Sequence, residues 1–166
     1  MRGLIVDYGG VLAGPGSDRA GVVDVLVRVR GHGVRTAMLS NDPGGPGRGA
    51  DALRALAGPA TGDTATGGAD RGVVPLFDHV VLSGDVGVAK PSPASYRLVA
   101  QRLGLAPSEC VFVDDLASNV EGAVAVGMVG VHFHDSAAAL FELSVLFESP
   151  TPSGRADRRR PPGGTR

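Results

Sequence analysis

Short apolar runs alternate along the chain with longer stretches whose hydrophobic residues recur at helical spacing. Leu4-Ile5-Val6 is continuously apolar and stops at Asp7. A run this short predicts a strand in a sheet covered on both faces. Val34 to Leu39, Val80 to Leu82, Cys110 to Val113 and Val129 to Phe133 repeat the pattern, giving five strands. Asp18 to Arg30 predicts a helix that turns Val22, Val23, Leu26, Val27 and Val29 inward. Ser17 or Asp18 would cap it, and Gly31 or Gly33 would end it. Further helices are predicted at Ala50 to Ala57, Ser92 to Leu103, Ser118 to Val126 and Ala137 to Phe147. Pro93 suits the first turn of its helix, where Tyr96, Val99, Ala100 and Leu103 share a face. Ser83 to Lys90 and the Gly-, Ala- and Thr-rich stretch Gly58 to Gly72 predict loops.

Strand and helix in alternation imply an α/β fold: a doubly wound, Rossmann-like parallel sheet of about five strands with helices on both faces. Such sheets bind ligands beyond the carboxyl ends of their strands. The polar residues of interest fall there. Asp7 follows the first strand, Ser40-Asn41 the second and Asp114-Asp115 the fourth, while Lys90 ends the loop after the third.

Composition narrows the class. A chain of 166 residues that is 43% hydrophobic and 20% charged can bury the core of one domain. The expected core is 1–148. Ser149 to Arg166 is nearly devoid of apolar residues and carries five of the arginines, so it predicts a disordered basic tail. A net charge of −1 makes no case for nucleic acid or a membrane surface as partner. The start, MRGLIVDYGG, has no apolar segment of signal-peptide length, and Cys110 has no second cysteine to pair with. The expected location is cytoplasmic. Of the 16 basic residues only Lys90 is a lysine.

Three carboxylates converging at one end of a sheet repel one another unless a cation neutralises them. Oxygen ligands of this kind suit Mg²⁺, shared with waters and phosphate oxygens. A serine hydroxyl and a lysine ammonium are natural phosphate donors. A carboxylate held against a metal-bound phosphoryl group can attack it and form an aspartyl phosphate.

The segments VDYGGVL (Val6 to Leu12), MLSND (Met38 to Asp42), GVAKPSPASY (Gly87 to Tyr96) and VFVDDLASNVEGAVAVGM (Val111 to Met128) resemble, in order, the four motifs of the haloacid dehalogenase (HAD) superfamily. The resemblance covers residues 3–134. It implies that Asp7 is the nucleophile and a Mg²⁺ ligand, and that Asp115 is a second metal ligand with Asp114 beside it. It also implies that Ser40 and Asn41 contact the phosphoryl group, that Lys90 pairs with that group and with Asp7, and that Asn119 orients its neighbours. The implied substrate is a small phosphorylated compound or a phosphorylated macromolecule.

Gly9 departs from the family pattern. Phosphatases of this family usually carry a second Asp there, as general acid and base, and its backbone carbonyl also binds the metal. Gly9 keeps the carbonyl and loses the acid, a loss of roughly 10²- to 10⁴-fold in rate. Tyr8 is adjacent but expected to point elsewhere, and Asp42 is a stand-in by proximity alone. The spacing from Asp7 to Ser40 is that of a bare βαβ unit, so no cap domain is expected. The open site would then be covered only by a second copy of the chain or by loops in 43–72. Two other readings accompany the phosphatase: a weakly active or inactive Mg²⁺- and phosphate-binding interaction protein, and a dehalogenase-like hydrolase.

The remaining features carry structural expectations. Cys110 predicts core, and His32, His79, His132 and His134 predict structural roles. A metal site on His132 and His134 would need Asp135 as a further ligand. Gly14-Pro15-Gly16 does not complete a dinucleotide fingerprint.

Overall fold

The computed structural model describes residues 1–42, 53 and 75–148. The expectations for the helix at 50–57, the loop at 58–72 and the tail at 149–166 lie outside the described residues, Leu53 apart. Five strands form one sheet: β1 (Gly3–Val6), β2 (Arg35–Ser40), β3 (His79–Leu82), β4 (Cys110–Asp114) and β5 (Val129–His132). All pairings are parallel, in the order β3-β2-β1-β4-β5. The chain builds outward from β1 in one direction through β3, then restarts at β4 on the other side. The crevice between the ends of β1 and β4 is therefore the topological switch point of the sheet.

Helices α1 (Arg19–Gly31), α2 (Ser83–Val86), α3 (Pro93–Arg102), α4 (Ala117–Ala125) and α5 (Ser136–Phe147) connect or follow the strands. Two separate cores show how they divide. Leu4 and Val6 of β1 pack with Val22, Val25, Leu26 and Val29 of α1 and with Ala139 and Leu143 of α5. Ile5, Phe112 and Cys110 pack on the opposite face with Tyr96, Val99 and Ala100 of α3 and Ala123 of α4. The predicted doubly wound α/β sheet is thus the observed architecture.

Local chemistry accounts for the element ends. Asp18 accepts a hydrogen bond from the Gly21 amide at 3.0 Å and caps α1. Gly33, at φ 81°, turns the chain toward β2. Asp135 caps α5 through the Ala138 amide at 3.0 Å. Two expectations are corrected. Val27 is 55% exposed, and Val25 takes its place in the core. The predicted loop after β3 opens with the short helix α2, closed by Gly87 in the left-handed region at φ 72°. Among the described residues no helix is long and apolar enough to cross a membrane.

Phe112 sits at the centre of the second core, fully buried and edge-on to Tyr96 with ring centroids 5.2 Å apart. Phe112→Ala is expected to lower the free energy of unfolding by about 3–5 kcal/mol in a urea titration. Leu116→Ala, at a position 56% exposed, is expected to stay within about 0.5 kcal/mol of wild type.

Candidate active site

Strand alternation places the two central carboxylates on one face. On β1, Ile5 faces the second core, so Asp7, two positions on, leaves the strand on that side. On β4, Phe112 faces the same core, and Asp114 follows in the same phase. Val6 and Val113 are register partners, so Asp7 and Asp114 emerge as neighbours. Both are buried, Asp114 completely.

Lys90 comes to this pair from the loop before α3. Its Nζ lies 2.6 Å from Asp7 Oδ1 and 2.7 Å from Asp114 Oδ2, at 5.5 Å from the centroid of the Phe112 ring. The backbone of Lys90 is clamped by Asn41. The Asn41 amide nitrogen donates to the Lys90 carbonyl and its oxygen accepts from the Lys90 amide, both at 2.9 Å. The sequence reading put Asn41 on phosphate. In the structure its side chain bonds both polar groups of the Lys90 backbone.

The adjacent aspartates of the fourth motif differ in how they are bonded. Asp114 is saturated: it accepts from Lys90, from the Leu116 amide at 2.9 Å and from Asn119 Nδ2 at 3.0 and 3.1 Å. Asn119 is buried, and its own carbonyl accepts the Tyr96 hydroxyl at 2.7 Å. Asp115 is half-buried, and among the described residues no hydrogen bond or ion pair reaches its carboxylate. One oxygen each from Asp7, Asp114 and Asp115 lies within 4.8 Å of the others.

The turn after β1 closes over this group. Gly10 has φ 68°, and a Cβ on it would fall 2.2 Å from the Asp115 carboxyl carbon. Only glycine lets the chain pass so close to Asp115. Gly9 is different: its backbone lies outside the positive-φ region, and a Cβ there would meet only Asp7 Oδ2, at 3.7 Å. Tyr8 packs against the first core, so it leaves the site as expected. Ser40 is buried at the end of β2, and no hydrogen bond engages its hydroxyl among the described residues. Asp42 accepts the Ser83 hydroxyl at 2.8 Å through its backbone carbonyl.

Burial pushes the Asp7 carboxyl above the ordinary carboxylate range. Lys90 opposes this by charge and hydrogen bond, while Asp114 adds to the rise. Three carboxylates face one ammonium, so two negative charges stay uncompensated when all are ionised. A divalent oxygen-seeking cation matches that deficit, and the free Asp115 carboxylate supplies a ligand.

A parallel sheet with paired acids and a lysine at its switch point defines an α/β fold with an acidic site at the carboxyl ends of its strands. The chain belongs to the haloacid dehalogenase-like hydrolases, whose family model matches residues 3–127. It is 42% identical over 71 residues to the sesquiterpene phosphatase astK of Aspergillus oryzae, a match covering 43% of this chain and 36% of that one. It spans well under two thirds of the length of the curated relatives it matches. An uncharacterized protein from Corynebacterium glutamicum shares 40% identity and a TM-score of 0.73, covering 89% of this chain and 95% of that one. A HAD family enzyme from Bacteroides thetaiotaomicron, crystallised as an alanine mutant with magnesium and inorganic phosphate, shares the fold at 16% identity and a TM-score of 0.53. That match covers 80% of this chain and 93% of the other.

His132, Phe112 and Gly10 were not among the site residues read from sequence. Gly10 left a signal there as the second glycine of the Gly9-Gly10 pair, and His132 was weighed only as a metal ligand with His134.

Two outcomes test the site. Gly10→Ala is expected to cost about 1 kcal/mol or more of stability from its positive φ, and to weaken divalent-ion binding roughly tenfold by displacing Asp115. Titration calorimetry would measure the binding. The raised Asp7 carboxyl predicts that the metal-free protein loses stability as pH rises from the ordinary Asp value, 3.8, through the higher folded value. Below that interval both states are protonated and the burial penalty vanishes; above it the penalty is complete. Asp7→Asn should therefore flatten the dependence of Tm on pH in EDTA.

Proposed function

We propose that the chain is a Mg²⁺-dependent phosphomonoester hydrolase that works through an aspartyl phosphate on Asp7. The observation that carries this reading is the Lys90 ammonium bridging Asp7 and Asp114 next to the free Asp115 carboxylate. Asp7, Asp115 and the backbone carbonyl of Gly9 would hold Mg²⁺, and the ion, when bound, would supply charge neutralisation for the phosphoryl oxygens. The similarity to a protein named as a phosphatase supports the substrate class.

In the first half-reaction an Asp7 oxygen attacks phosphorus and the bond to the alcohol oxygen breaks. Lys90 and the Ser40 hydroxyl donate to the oxygens of the transferring group. Asn41 holds the Lys90 backbone in place for this task, and Asn119 holds Asp114, which keeps the ammonium centred. No side chain at Gly9 protonates the departing oxygen, so the leaving group departs as its anion or takes a proton from water. In the second half-reaction water attacks the aspartyl phosphate, releases inorganic phosphate and restores the carboxylate.

Only α1 and its flanking turns lie between β1 and β2, which supports a site without an inserted cap domain. Gly9 also favours the second reading, a weakly active Mg²⁺- and phosphate-binding module. Space for a side chain at Gly9 makes the two readings separable.

With an aryl phosphate, Mg²⁺-dependent release of phosphate is expected, abolished by EDTA and reduced roughly 10³-fold or more by Asp7→Asn. An alkyl phosphate should react far more slowly. Gly9→Asp should raise its turnover by about 10²- to 10⁴-fold. Equal rates for both esters, or turnover indifferent to Asp7→Asn, would sink the mechanism. Halide release from a 2-haloacid without Mg²⁺ would favour the dehalogenase reading.

A further inference from the structure

The peptide bond that follows Asp115 is gripped at both edges. Its N–H, on Leu116, donates to Asp114 Oδ1 at 2.9 Å. Its carbonyl, on Asp115, lies 2.9 Å from Nε2 of His132. A carbonyl only accepts, so Nε2 carries the proton and the ring is held in that tautomer. His132 ends β5 as the register partner of Asp114, and the Phe133 amide donates to the Asp114 carbonyl at 2.9 Å. The ring is backed by His134, with centroids 4.8 Å apart, and His134 Nδ1 lies 3.2 Å from the His132 carbonyl.

We propose that His132 is a positioning residue for Asp115: by holding the Asp115 carbonyl from β5, it fixes the backbone angle that aims the Asp115 carboxylate at the divalent ion. This rests on the metal reading of the proposed function. The Asp115 side chain has no hydrogen bond of its own among the described residues, and the Gly10 backbone lies close against its carboxyl group. Its direction is therefore set by the backbone. One edge of the controlling peptide is tied within the motif, and the other is tied by an imidazole seventeen positions downstream. Loss of the imidazole frees the carbonyl to rotate toward water and takes the carboxylate out of reach of Asp7.

The test measures Mg²⁺ binding by titration calorimetry at one fixed pH for wild type, His132→Leu, His132→Asn and His132→Gln. The glutamine amide reaches the place of Nε2, whereas the asparagine amide falls short. The leucine and asparagine variants are expected to bind Mg²⁺ roughly tenfold more weakly, and glutamine to restore most of the affinity. In turnover, the Mg²⁺ concentration for half-maximal rate should rise while the rate at saturating Mg²⁺ changes little. Long-range ¹H–¹⁵N spectra of wild type should show the Nε2–H tautomer at His132 even if a variant does not fold. The Nδ1–H tautomer, or unchanged Mg²⁺ affinity in His132→Leu, would overturn the proposal and leave the phosphatase reading standing. Failure of wild type itself to bind Mg²⁺ would overturn both.

Discussion

The buried ammonium of Lys90, 2.6 Å from one aspartate and 2.7 Å from another, is the interaction on which the site depends. Burying two carboxylates side by side costs several kcal/mol unless a cation and further hydrogen bonds compensate. Lys90 supplies the cation, and much of the surrounding polar structure keeps it there. Asn41 clamps its backbone from the end of β2. Phe112 lies below its ammonium in the second core. The sheet order makes this possible, because β1 and β4 are adjacent and end together at the switch point.

Two adjacent aspartates of one motif perform separate tasks, because each accepts a different number of hydrogen bonds. The lone pairs of Asp114 are taken by Lys90, Asn119 and the Leu116 amide, which makes it an anchor. Asp115 accepts no hydrogen bond on its carboxylate among the described residues, which leaves its oxygens open. The same contrast separates the adjacent glycines. Gly10 is required by its positive φ and by contact with Asp115, while Gly9 has ordinary backbone and open space. Sterics therefore do not account for the missing side chain at Gly9.

Much of the fold was readable from the chain alone. Runs such as Leu4-Ile5-Val6 are too short for a helix and apolar on both faces, so they dictate buried parallel strands. Asp18, Pro93 and Gly33 marked helix ends through capping and backbone chemistry that act over a few residues. Asp7, Lys90 and the Asp114-Asp115 pair drew notice because strand ends in such sheets gather polar residues, and because the only lysine lies in the third motif; the choice of Asp115 over Asp114 came from the family resemblance. Periodicity erred at Val27, since a helix covered on one side buries a stripe narrower than its run of valines.

Sequence by itself determined the alternation of strands and helices, their caps, and which acidic residues reach the sheet edge, because each follows from interactions between near neighbours. Tertiary structure alone decided that Asn41 serves Lys90, that Asp114 is saturated while Asp115 is free, and that His132 grips the Asp115 carbonyl. Those assignments depend on hydrogen-bond directions between residues up to 49 positions apart, and no local pattern in the chain encodes a direction across that distance.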